Sequence, residues 1–87
     1  MADETVRRTE DLVERLRHLG HHAEAGRLAH HLTLHKAERV LLFALREACE
    51  TILTAIEAID PVTQTMIEEL RVEVEKRLRL PEEGKGA

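Results

Sequence analysis

From residue 4 onward, apolar side chains return every three or four positions, the spacing that keeps them on one side of an α-helix. Val6, Val13, Leu16 and Leu19 form the first such stripe, with Glu4/Arg8 and Asp11/Arg15 as i,i+4 pairs. Asp3 is suited to cap this helix, because a carboxylate there can accept from N–H groups that lack an intrahelical partner. Gly20 follows where a left-handed residue would end it. The pattern predicts a helix over about 4–19.

A second stripe begins at His22 and passes through Ala25, Leu28, Ala29 and Leu32, and a third continues through Leu34, Leu41, Leu45, Ala48, Ile52 and Ile59. No Pro or Gly lies in 27–59, so the expectation is one long central helix over 22–59. The alternative is a break near Thr33, a residue able to cap a new helix, where the stripe also changes face. Asp60-Pro61 then joins a good N-cap to the residue favoured at the first helical position. Met66, Ile67, Leu70, Val74 and Leu78 line the last helix over 61–80, and Glu73/Arg77 and Glu75/Arg79 are its i,i+4 pairs. Pro81 and the glycines beyond it predict a disordered tail over 81–87.

The pattern therefore defines a single all-α domain over 1–80, with antiparallel helical hairpins around a long central helix: three helices, or four if the chain breaks near Thr33. A central rod would be about 57 Å long, and the flanking helices, about 24 and 30 Å, together match its length. Between Val40 and Ile59, 14 of 20 positions are apolar, more than a helix covered on one side requires. Two flanking helices leave part of that face bare, so a homodimer resembling a four-helix bundle is expected. The candidate interface is Leu41, Leu42, Leu45, Ala48, Cys49, Ile52, Ile56 and Ile59, and another helical protein is the alternative partner.

Composition strengthens this expectation. A chain of 87 residues with one aromatic, Phe43, must build its core from aliphatic residues and stands near the lower size limit for independent folding. The lone Cys49 excludes an intramolecular disulfide and suits a reducing, cytoplasmic setting. The acidic start lacks the signature of a signal peptide, and the longest apolar run, Val40–Leu45, is too short to cross a membrane.

Charge and chemistry narrow the functional classes. The formal net charge is −4, and the arginines of the first and last helices alternate with Glu or Asp, which makes nucleic acid a disfavoured partner. A nucleic-acid-associated regulator is the third-ranked reading. The absence of Ser, Tyr, Trp and Asn removes common catalytic groups, and Cys49 sits in an apolar run, so no enzyme and no cofactor are expected. All six histidines fall between His18 and His35. His31, His35 and Glu38 share one face of a continuous helix and could offer two imidazoles and a carboxylate to zinc or a similar ion. The runner-up function is accordingly a histidine-based metal-binding or pH-responsive helical protein.

The stretch Leu19-Gly20-His21-His22-Ala23-Glu24-Ala25 resembles the inter-helix turn of a tetratricopeptide repeat. No second copy follows at the ~34-residue period of that architecture, so it implies only a helix–turn–helix at this point.

Overall fold

A computed structural model describes residues 3–34 and 37–79, the side chain of Asp3 excepted. The described residues form four α-helices and no strand: α1 (Asp3–His18), α2 (His22–Leu34), α3 (Glu38–Ala55) and α4 (Pro61–Arg79). The expected Asp3 cap, His35 and the tail over 81–87 lie outside the described residues and side chains.

The end of α1 follows from local chemistry. Gly20 adopts φ 90°, its N–H donates to the Arg17 carbonyl at 3.0 Å, and the His21 N–H donates to the Leu16 carbonyl at 2.8 Å. These two bonds define a Schellman motif, which satisfies carbonyls that the helix end leaves open. The start of α4 is also local. Asp60 Oδ2 accepts from the Thr63 N–H at 3.1 Å, and the Asp60 carbonyl accepts the first helical bond from the Gln64 N–H at 2.9 Å.

The expected continuous helix over 22–59 is divided. α2 ends at Leu34, Ala37 has extended backbone (φ −80°, ψ 129°), and α3 runs only from Glu38 to Ala55 before Ile56 turns away at φ −99°, ψ 109°. Ala37 caps α3 without a side-chain hydrogen bond, so this start lacks the capping chemistry seen at Asp60. Packing explains the break. α3 lies against both α2 and α4, and α1 also lies against both, so the four helices close a ring around one core. A straight rod would carry α2 away from α3 and leave the wide apolar face of α3 open on one side.

Hydrogen bonds set the direction of α1 against α4. Arg77 Nη1 donates to Thr5 Oγ1 at 3.4 Å, Arg8 Nη1 lies 3.4 Å from Glu69 Oε1, and Arg15 Nε donates to Thr63 Oγ1 at 3.0 Å. Positions rise along α1 as they fall along α4, so the two helices are antiparallel. At the start of α3, Glu38 pairs with Arg77, and Arg39 donates to the Leu78 carbonyl at the end of α4.

The core draws on all four helices: Leu12, Val13 and Leu16 of α1; Ala25 and Leu28 of α2; six residues of α3; and Ile67, Leu70 and Val74 of α4. Thr5, Thr9 and Thr63 are the buried polar residues along the α1/α4 seam. Their hydroxyls are satisfied, with Thr9 donating to the Thr5 carbonyl at 2.8 Å and Thr63 to Asp60 Oδ1 at 2.6 Å. No helix among the described residues is long and apolar enough to cross a membrane.

Candidate association surface

The side chains expected to form an interface face inward. Leu45, Cys49 and Ile52 have no solvent exposure, Leu41, Leu42 and Ala48 are also buried, and Ile56 and Ile59 pack at the edge of the core. Their cover comes from the other helices of the same chain. The division at 34–38 thus removes the geometric reason for a rod-against-rod bundle, because folding α2 back supplies the missing neighbour.

The side of α3 that does meet solvent is the opposite one. At 100° per residue, Val40, Phe43, Glu47, Glu50 and Thr54 fall on a single stripe, and all five are exposed. Six large hydrophobic residues are exposed among the described ones, and three of them, Leu34, Val40 and Phe43, flank the α2/α3 connection. Phe43, the chain's one aromatic residue, is 45% exposed. Its ring lies 5.7 Å from the Arg39 guanidinium and 5.3 Å from that of Arg46, one turn to either side on α3. Both distances are those of cation–π contacts, so the arginines hold the ring in place without covering it.

Charge along this stripe is polarised. Arg39 and Arg46 flank the apolar N-terminal half, whereas Glu47 and Glu50 occupy the C-terminal half. Among the described residues, neither Glu47 nor Glu50 has an ion-pair partner, and Arg46, four residues before Glu50, pairs with neither of them. The last turn of α3 holds no basic residue, although the partial negative charge of a helix C-terminus favours cations.

The remaining candidate chemistry is dispersed. His31 is half-buried on α2 and Glu38 is exposed on α3, where it is engaged by Arg77. The two therefore no longer share a helix face, and the third expected ligand, His35, is outside the described residues. No group of three or more His, Cys, Asp or Glu side chains among the described residues is arranged to hold a metal ion. The Cys49 thiol is fully buried, and the loss of solvent around it pushes its pKa up to about 12, so it is protonated at neutral pH. Asp60 is shifted the other way. The Thr63 hydroxyl and N–H, together with the Arg15 guanidinium, hold its carboxyl well below the usual carboxylate range. These contacts are within the fold and tie the start of α4 to α1.

Comparison with known proteins adds no relative: no family model matches the chain, and no curated protein and no solved structure matches it.

The apolar composition of Val40–Ile59 does not by itself distinguish the exposed Phe43 from its buried neighbours. The signal that separates Phe43 from its neighbours is the pair of arginines at i−4 and i+3, which place charge one turn before and one turn after it along one edge of the stripe. Leu41, Leu42 and Leu45 stand on the other side of the helix.

Proposed function

We propose that this protein is a non-enzymatic helical association module that works as a homodimer, each chain folding its own core and presenting the outer stripe of α3. The observation that carries this reading is Phe43, the chain's one aromatic side chain, left 45% exposed on α3 while Leu41, Leu42 and Leu45 beside it are buried. Aromatic and arginine side chains together are the composition enriched at protein contacts. Val40 extends the apolar area by one turn, and Leu34 adds to it at the end of α2.

The composition and the burial of Cys49 support a role without catalysis. Ser, Tyr, Trp and Asn are absent, and the Cys49 thiol is protonated and sealed in the core. The test is the mass in solution. Multi-angle light scattering at micromolar concentration is expected to return twice the 9.9 kDa chain mass. A mass of 9.9 kDa that persists as concentration rises would overturn the proposal.

A further inference from the structure

We infer that the surface is completed by a second copy of this chain in antiparallel register, with α3 against α3, so that the basic N-terminal half of each lies over the acidic C-terminal half of the other. This rests on the association reading above and specifies the contact and its direction.

Three observations support the arrangement. First, the stripe is self-complementary in only one direction. Parallel packing would set Arg46 beside Arg46 and Glu50 beside Glu50, whereas antiparallel packing sets Arg46 of one copy near Glu47 and Glu50 of the other. Second, the charges are available. Among the described residues Glu47 and Glu50 are exposed and without ion pairs, and the Arg46 guanidinium touches only the Phe43 ring. Third, the C-terminal turn of α3 lacks basic residues, so a cation delivered from a neighbouring copy also meets the helix dipole favourably. A two-fold axis satisfies all three demands twice, because each pairing is repeated on the other side of the axis. In that register the axis passes beside Arg46 and Glu47 at the middle of α3, and Phe43 and Val40 of each copy lie toward Thr51 and Thr54 of the other, where the apolar part of the stripe is removed from water.

A charge-exchange experiment tests this directly. Arg46→Glu makes one variant and Glu47→Lys/Glu50→Lys a second, and circular dichroism checks that each keeps its helical content. All three positions are at the surface or half-buried, away from the core cluster. Each variant alone is expected to dimerise more weakly by roughly tenfold or more. An equimolar mixture is expected to restore the affinity as a heterodimer, seen by native mass spectrometry, because each altered half then faces its opposite charge.

The alternatives are separable. A dimeric parent whose variants associate equally well, or whose weakened variants are not rescued on mixing, would overturn the antiparallel register while leaving association intact. A parent that stays monomeric at every concentration would overturn the association reading itself and this register with it.

Discussion

Arg15 of α1 places its Nη2 2.9 Å from Oδ2 of Asp60, the carboxylate that also caps α4 by accepting from the Thr63 N–H. The same guanidinium donates through Nε to the Thr63 hydroxyl at 3.0 Å, and that hydroxyl donates to Asp60 Oδ1. One carboxylate thus serves both a helix start and a contact between two helices. Its dual role makes it the point where the fold should feel acid.

The sign follows from the direction of the shift. Asp60 has a lower pKa folded than unfolded, so its ionised form contributes stability above the unfolded value near 3.9, and that contribution is lost as pH falls below it. Urea unfolding of the parent should therefore show stability dropping steeply between about pH 4 and pH 2. Asp60→Asn preserves a good capping residue but carries no charge to titrate. The variant should be less stable than the parent at neutral pH, and its stability should fall less over the acid range. Equal acid slopes in both proteins would show that Asp60 is not the responsible group.

The two helix-associated glycines should respond in opposite directions to alanine. At Gly20 an added Cβ meets nothing within 4 Å, so the penalty is purely conformational: φ 90° suits glycine, and Gly20→Ala should destabilise by about 1 kcal/mol. Gly26 is exposed in the interior of α2 with the same open surroundings. There Gly26→Ala should stabilise by about 0.5–1 kcal/mol, because alanine loses less backbone freedom in a helix. Thermal melts of the two variants decide the matter, and shifts of the same sign would contradict the backbone assignment at one of the two sites.

Leu45 and Phe43 lie two residues apart on opposite sides of α3, and truncating them should separate folding from association. Leu45 is completely buried, so Leu45→Ala should reduce stability by about 2–5 kcal/mol. Ile52→Asp should be more severe still, since it puts an unpaired charge in the same core. Phe43→Ala in dilute solution should change stability by no more than about 0.5 kcal/mol. Its effect should appear instead as a loss of dimer in light scattering at concentrations where the parent associates. A large loss of stability from Phe43→Ala in the monomer would place the ring in the core.

Cys49 should report opening of the core. Its thiol is buried and ionises only near pH 12, so an aromatic disulfide reagent at pH 8 should label the native protein slowly and the urea-unfolded protein fast. Linkage adds a second readout. The folded state holds this proton more tightly, so stability should fall as pH rises above the unfolded thiol value of about 8.5. Rapid labelling under native conditions would contradict a sealed core at α3.

The parts of the fold that were legible in sequence are those encoded by neighbouring residues. Gly20 marks the end of α1 because its own backbone requirement ends a helix, and Asp60-Pro61 marks the start of α4 because a cap and a proline act within one turn. The break between α2 and α3 has no such marker. Thr33 does not cap α3; its hydroxyl donates to the His30 carbonyl within α2, and the residue at the start of α3 is Ala37, a poor cap. The change of face of the apolar stripe near Thr33 allows a break there, and the demand of Leu41, Leu42 and Leu45 for cover from a folded-back α2, which is tertiary, selects it over a continuous helix.

The candidate surface was legible in the same uneven way. An excess of apolar residues on the central segment pointed to contact on two sides, and α3 does lie against two helices. Which residues remain outside depended on where α2 came to rest. The arginines around Phe43 carried local information about exposure, because charged groups one turn before and after a ring, on the same edge of the helix, keep that side wet.

The most direct test of association through the outer stripe is a concentration series of amide NMR spectra of the parent protein. Concentration-dependent shifts are expected at Val40, Phe43, Arg46, Glu47 and Glu50, with the amides of Leu45 and Ile52 much less affected. Spectra that do not change with concentration, or changes centred on the core positions, would contradict the account.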